Sequence, residues 1–312
     1  MAQTPPVADD ALRETLSSFH TERVSEASRD LDLLSTAEQV RIMCEDNLAV
    51  PAAVAGQAEQ IARAIDGIVD RLRRGGRLVY AGAGTAGRLG ILDASEIPPT
   101  YGTDPSVVVG LIAGGQDAVR AAIENAEDDE GAAAEAITGL EVTERDVVVG
   151  ISASGRTPYA CAAVRSARER GAFTIGIACN AGSALGAAAD VAIEVVVGPE
   201  IVTGSTRLKA GTAQKLVLNM LSTIAMVRLG KVYGNLMVDM RATNEKLRAR
   251  AERTVMLATG TDAATAAAAL GSADGSVKAA ILIVLADVDG PSAARLLADH
   301  GGYLREALAA AR

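Results

Sequence analysis

Five short apolar segments, separated by stretches of helical character, constrain the fold of this chain most strongly. They lie at 77–81 (RLVYA), 106–113 (SVVVGLIA), 146–153 (DVVVGISA), 173–179 (FTIGIAC) and 191–197 (VAIEVVV). Strands that are apolar along their whole length, with helices between them, are typical of a parallel sheet covered on both faces. The pattern predicts an α/β fold, with a doubly wound, mainly parallel sheet over about residues 55–240.

Helices are predicted on either side of this domain. Ser35 and Glu38 have the spacing of a capping box, so a helical segment is expected within residues 1–54. After residue 245 the chain has short helical stretches broken at GTD, GSADGS and DGPS, which predicts a small helical subdomain over 245–312.

Composition and charge exclude several classes of protein. Aromatic residues are only 2% of the chain, which argues against an all-β sandwich, and the net charge of −9 argues against general binding of nucleic acid. The chain starts without a secretion signal, and its apolar run at 279–286 is too short to span a bilayer. We expect a cytoplasmic protein that binds no membrane, with Cys44, Cys161 and Cys179 as small core residues.

A glycine loop follows the first predicted strand. Its letters GAGTAG, residues 82–87, match the G-x-G-x-x-G pattern, and such a turn before a helix binds anions through unpaired N–H groups. A dinucleotide site would also need an acidic residue at the end of the second strand, yet none occurs there before Asp117. The loop, with Gly84 and Thr85, is therefore predicted to bind another phosphate.

A serine-rich loop, SASGRTP, follows the third predicted strand. Ser152, Ser154 and Thr157 place three hydroxyl groups around Gly155, a composition suited to a phosphate monoester. The alternative is a helix N-cap with a serine-rich turn. Because both loops end parallel strands, they can face one ligand where the sheet changes winding direction, which predicts a phosphorylated small molecule as substrate.

Four stretches resemble the sugar isomerase (SIS) phosphosugar-binding family and, more narrowly, the bacterial N-acetylmuramic acid 6-phosphate etherases. They are YAGAGTAGRLGILDASEIPPTYG (80–102), GISASGRTPY (150–159), GPEIVTGSTRLKAGTAQKLVLNMLST (198–223) and NEKLRARA (244–251). The similarity begins near Thr21, and Ser25 stands where the family usually has Asn.

The resemblance implies an SIS fold, a homodimer and a reaction without metal or organic cofactor. The lactyl ether of a phosphorylated amino sugar would be cleaved to N-acetylglucosamine 6-phosphate and D-lactate, in the recycling of cell-wall sugar. Such an elimination needs an acid and a base. By resemblance Glu96 is the proton donor and Glu127 the second catalytic carboxyl group, expected to act as the base, although the residues alone would also fit two surface carboxylates.

A polar cluster precedes the helix that starts near residue 209. Glu200, Ser205, Thr206 and Lys209 are predicted to bind substrate, the alternative being a helix cap and a solvated lysine. Arg88 either binds the lactyl carboxylate or pairs with Asp93. His20 and His300 lack the partners of a zinc site or a His-centred triad.

Two other functions remain open at this point. The same scaffold could serve a non-catalytic phosphosugar sensor, although such sensors are usually longer, with duplicated modules. It could also serve an aldose–ketose isomerase or a deaminase acting on hexose phosphate, which needs no acid directed at a C3 ether.

Overall fold

The computed structural model describes residues 19–240 and 244–311. The chain divides into two compact units. The first runs to Asp93 and resumes over Val109–Leu221, and the second comprises Ala94–Val108 and the residues from Ser222 onward. The predicted division at 54/55 and 240/245 stays a prediction.

A five-stranded sheet forms the centre of the first unit. Its strands are β1 (Leu78–Gly82), β2 (Val108–Ile112), β3 (Val147–Ile151), β4 (Phe173–Ala178) and β5 (Val191–Glu194). The order is β2-β1-β3-β4-β5, and β3 pairs in parallel with β1 and with β4, as does β5 with β4. All five predicted strands and the α/β fold class are confirmed.

Helices cover both faces of this sheet because every strand carries apolar side chains on both sides. The helices with residues in the first unit are α1 (Thr36–Asn47), α2 (Ala49–Ala55), α3 (Ala58–Arg73), α4 (Gly84–Tyr101), α5 (Glu130–Gly139), α6 (Pro158–Glu169), α7 (Ala184–Ala188) and α8 (Lys209–Arg228). Five short 3-10 turns lie at His20–Glu22, Glu26–Ser28, Leu31–Leu33, Gly115–Val119 and Ala126–Asp128.

The N-terminal segment is helical, and Ser35 and Glu38 form the predicted capping box at the start of α1. However, α1 has no buried residue. The prediction that all three cysteines are core residues is therefore wrong for Cys44, which is exposed on this helix, while Cys161 and Cys179 are buried. Burial raises the pKa of the Cys179 thiol to about 12.

The second unit is mainly helical, as the sequence after residue 245 predicts. It contains a hairpin of β6 (Val232–Tyr233) and β7 (Leu236–Met237), followed by α9 (Glu245–Thr259), α10 (Ala263–Ser272), α11 (Val277–Ala286), α12 (Gly290–Asp299) and α13 (Leu304–Ala310). The predicted breaks supply the helix caps: Asp262, Ser276 and Asp289 accept hydrogen bonds from first-turn N–H groups.

No single helix in the described part of the chain is long and apolar enough to cross a membrane. By length and composition alone, α10 and α11 together would pass that test, with a bend of 114° between them.

Candidate functional site

The strand order predicts a ligand site at the carboxyl ends of the central strands β1 and β3. In a β2-β1-β3-β4-β5 sheet the winding direction changes between β1 and β3, and ligands of such sheets bind beyond the carboxyl ends of those strands. The glycine loop leaves β1 there, and the serine loop leaves β3.

A cavity of about 460 Å³ lies beyond the carboxyl ends of these two strands. Both loops line it, together with polar residues from the N-terminal segment, the 3-10 turn after Asn125 and the region around the start of α8. The lining residues are Glu22, Ala83, Gly84, Thr85, Ala86, Glu127, Asp128, Ser152, Ala153, Ser154, Arg156, Thr157, Pro158, Thr206 and Gln214. The cavity therefore brings together seven of the predicted site residues: Gly84, Thr85, Glu127, Ser152, Ser154, Thr157 and Thr206.

The glycines of the first loop serve two purposes. A Cβ at Gly82 would lie 2.9 Å from the Gly87 nitrogen, and one at Gly87 would lie 2.7 Å from the Gly82 oxygen, so these two allow α4 to start directly against β1. Gly84 has a φ of +52°, and a Cβ there would meet no atom within 4 Å. Close packing and the turn thus leave the first N–H groups of α4 beside the cavity.

Hydrogen bonds within the serine loop fix its hydroxyl groups. Ser152 Oγ accepts from the Gly155 N–H at 3.0 Å and lies 2.8 Å from Thr157 Oγ1 and 3.3 Å from Ser154 Oγ. Thr157 occupies the N-cap position of α6, yet its side chain makes no capping hydrogen bond. Its hydroxyl lies 2.8 Å from Ser152 Oγ instead, so the Thr157 side chain does not cap α6.

The two predicted catalytic acids belong to different units. Glu127 lies on the 3-10 turn Ala126–Asp128, where its exposed side chain lines the cavity. Glu96 lies in the second unit, exposed on α4, and its backbone oxygen accepts from Thr100 Oγ1 at 2.7 Å.

The Arg88 side chain donates hydrogen bonds to backbone oxygens of the segment that follows β2. Its Nε donates to the Val119 oxygen at 3.1 Å and its Nη2 to the Ala121 oxygen at 2.9 Å. Asp93 accepts from Tyr80 and Asn219. Arg88 also lines a smaller cavity of about 250 Å³, which shares Ala83, Gly84 and Glu127 with the larger one.

In the polar cluster before α8, both charged side chains, Glu200 and Lys209, already have partners within the protein. Glu200 is fully buried, and its carboxylate accepts from the N–H groups of Lys209 and Ala210 at 2.9 Å each. The Lys209 ammonium lies 2.7 Å from Asp46. The helix cap is thus Glu200 rather than Ser205 or Thr206, and of this cluster only Thr206 lines the cavity.

Sequence reasoning missed two residues of the cavity, Glu22 and Gln214. The turn that carries Glu22 is anchored by Asn180, whose Oδ1 accepts from the His20 N–H at 2.7 Å and whose Nδ2 donates to Thr21 Oγ1 at 3.1 Å. Nothing local in the sequence indicates that contact, since the partners are about 160 residues apart. Gln214 could have been found from the sequence, because it is a polar residue in a predominantly apolar stretch of α8.

The charges around the cavity are mostly negative. Three carboxylates, Glu22, Glu127 and Asp128, face one guanidinium, Arg156. An anionic ligand must therefore rely on N–H groups and hydroxyls as much as on positive charge. Among the described residues, no group of three or more His, Cys, Asp or Glu side chains is placed to hold a metal ion.

Family models and a solved structure match parts of this chain. The model of the glucokinase regulatory protein N-terminal SIS domain matches residues 60–168, and the SIS domain model matches residues 130–224. A phosphoheptose isomerase from Francisella tularensis has 19% identity and a TM-score of 0.49, over 62% of this chain and 100% of that one.

Two relatives match almost the whole chain. An N-acetylmuramic acid 6-phosphate etherase of Streptomyces avermitilis is 62% identical over 96% of this chain and 97% of its own length. One of Streptomyces coelicolor is 60% identical over 100% of this chain and 99% of its own length. At this identity and coverage, the chain belongs to the family of N-acetylmuramic acid 6-phosphate etherases.

Proposed function

We propose that this enzyme cleaves the lactyl ether of N-acetylmuramic acid 6-phosphate, giving N-acetylglucosamine 6-phosphate and D-lactate, and that it does so at the cavity between the glycine and serine loops. Family membership supports the reaction. The observation that carries the assignment of the site is the convergence of Ser152, Ser154, Thr157 and Glu127 on that cavity.

The serine loop binds the phosphate in this proposal. The Ser154 and Thr157 hydroxyl groups each lie within 3.3 Å of the Ser152 hydroxyl, so the three need little reordering to surround a monoester. Gly155 shapes the loop, and the N–H groups at the start of α4, near Gly84 and Thr85, add donors from the opposite side.

The two glutamates carry out the elimination. Opening of the sugar ring makes C1 an aldehyde, which acidifies the proton on C2. Glu127 removes that proton while Glu96 protonates the departing ether oxygen, so the C3–O bond breaks and D-lactate leaves. Water then adds across the C2–C3 double bond to give the product. A carboxylate and a carboxylic acid together supply both proton transfers.

The remaining predicted residues have supporting roles. Arg88 holds the loop that ends near Ala121, beside the smaller cavity, and in the proposal its free guanidinium edge faces the lactyl carboxylate. Glu200 and Lys209 fix the start of α8, which brings Ser205 and Thr206 toward the substrate.

A homodimer in the cytoplasm completes the proposal. Exposed apolar side chains around α1 support a partner surface there, since Val40 is 57% exposed and Leu33 is 78% exposed. A reducing cytoplasm suits a chain with three free cysteines.

The test is to incubate purified protein with N-acetylmuramic acid 6-phosphate and measure D-lactate. Glu96→Gln should abolish release, a loss of 10²-fold or more, because an amide cannot donate the proton. The far-ultraviolet circular dichroism spectrum should stay unchanged. Near-normal turnover in this variant would contradict the role of Glu96.

A parallel incubation with fructose 6-phosphate addresses the isomerase alternative. Conversion of that sugar without D-lactate release from the muramyl substrate would favour an isomerase, and binding without any turnover would favour a sensor.

A further inference from the structure

Gln214 is a polar residue in a place where packing alone would select an apolar one. Most buried residues of α8 are small or apolar, including Ala210, Ala213, Val217, Leu218 and Leu221, and its buried polar residues Lys209 and Ser222 have partners. Gln214 is only 1% exposed, and it also lines the cavity of about 460 Å³. Its carboxamide is thus both desolvated and at the site.

The Nε2 atom of Gln214 has no hydrogen-bond partner among the residues that the structure describes. A buried donor without a partner lowers the stability of a folded protein, so such groups are rare and each requires an explanation, of which a functional role is one. Gln39 offers a contrast in the same unit, since its Nε2 donates to the Leu31 and Leu34 oxygens.

The position of Gln214 indicates what it binds. It lies on α8, whereas the hydroxyl groups suited to the phosphate lie on the loop after β3. A Cβ at Gly211, one turn earlier on α8, would lie 3.3 Å from Thr85 Cγ2, so this end of the helix packs against the glycine loop. A neutral carboxamide donor suits a neutral acceptor better than it suits a phosphate, which gains more from charge.

We infer that Gln214 is a substrate-binding residue whose Nε2 donates a hydrogen bond to a neutral oxygen of the sugar, either a hydroxyl or the N-acetyl carbonyl. The inference rests on the proposed function for the identity of the sugar. It assigns a role in specificity, because a site with a buried donor disfavours ligands that lack the matching acceptor.

The test compares Gln214→Met with Gln214→Glu and with the control Gln39→Met. Met keeps the volume of Gln but removes the donor, and Glu keeps the shape but replaces the donor with an acceptor. We expect both Gln214 variants to raise KM for the muramyl substrate about tenfold, the effect of one lost hydrogen bond. In Gln214→Met, which adds no charge to the cavity, inhibition by inorganic phosphate should stay within twofold of wild type.

Thermal unfolding separates a binding role from a structural role, because the two predict opposite changes in Tm. Gln214→Met removes a buried donor without a partner, so the Tm of the ligand-free protein should be equal to or above that of wild type. Gln39→Met removes a donor that has partners, so it should lower Tm and leave KM unchanged.

Three results would overturn the inference. An unchanged KM in Gln214→Met would mean that Nε2 binds solvent. A lower Tm with unchanged KM would make Gln214 structural, and phosphate inhibition weakened in parallel with KM would move the contact to the phosphate.

Calorimetric titration with N-acetylglucosamine 6-phosphate separates this inference from the proposed function. If wild-type protein released no D-lactate, the proposed reaction would fail, while weaker binding of this sugar phosphate by Gln214→Met would still support the role of Gln214.

Discussion

At the residue scale, Gly155 gives the serine loop its shape. Its φ is +73°, in the left-handed region that side chains with a Cβ avoid. A Cβ there would also lie 2.4 Å from the Ser183 Cβ and 2.9 Å from the Ala178 Cβ. Two independent constraints therefore require glycine at this position.

Gly155→Ala should destabilise the protein by about 2–4 kcal/mol, the sum of the backbone penalty and of overpacking. It should also raise KM for the phosphorylated substrate, because Ser152 Oγ accepts from the N–H of this residue. Urea unfolding and steady-state kinetics measure the two effects.

Gly182→Ala is the matched control. Its φ of +64° carries the same backbone penalty, but a Cβ there would meet no atom within 4 Å. A loss of about 1 kcal/mol is expected. Equal losses in the two variants would contradict the steric part of the argument.

Sequence reasoning identified those cavity-lining residues that lie in continuous motifs. Ser152, Ser154 and Thr157 were predictable because a strand and a loop are adjacent in the chain. Glu22 was not, because its place depends on a contact between Thr21 and Asn180, which are 159 residues apart. The role of Glu200 in substrate binding stays a prediction, and its capping of α8 was not predictable because polarity in the sequence does not reveal burial.

At the scale of elements, Asp146 joins the starts of β1 and β3. Its carboxylate accepts from the Arg77 backbone N–H at 2.9 Å, from the Arg77 guanidinium at 3.0 Å and from the Thr143 N–H at 2.8 Å. Burial alone would raise the pKa of Asp146, but the hydrogen bonds from Arg77 and Thr143 outweigh it and lower the pKa below its usual value.

A lowered pKa in the folded state means that this carboxylate stabilises the protein above the unfolded pKa of about 3.9 and loses that effect as pH falls through the folded value. Asp146→Asn should therefore cost about 2 kcal/mol at pH 7, and the difference from wild type should shrink from about pH 5 to pH 3. Denaturant unfolding at pH 7, 5 and 3 measures it.

Glu135→Gln, on the exposed surface of α5, is the control and should cost little at any of these pH values. A deficit in Asp146→Asn that stayed constant down to pH 3 would show that charge at this position is unimportant.

Elements with strong patterns were predictable, and weak ones were not. The five strands have apolar side chains on both faces, so they stand out in the sequence. The hairpin β6–β7 has strands of two residues each, too short for any periodicity. For α1, the capping box predicted the start of the helix, but the general burial preference of free cysteine wrongly predicted a core position for Cys44.

At the scale of the whole molecule, the proposed homodimer predicts a particle of twice 31.8 kDa in size-exclusion chromatography with light scattering. Val40→Glu should shift the mass toward one chain, because a charge would then lie in an apolar contact surface. Leu257→Glu, at an equally exposed apolar residue of α9, should leave the mass unchanged. A wild-type protein with the mass of one chain would refute the dimer.

The pattern of strands and helices predicted the fold class of the molecule, but local motifs could not reveal which distant residues share the cavity. Residue 22 and residue 214 both line it. A ribosome must therefore complete more than two thirds of this polypeptide before the walls of the cavity can exist. With the proposed site at this cavity, we expect nascent chains that stop earlier to be inactive and to gain no stability from sugar phosphate.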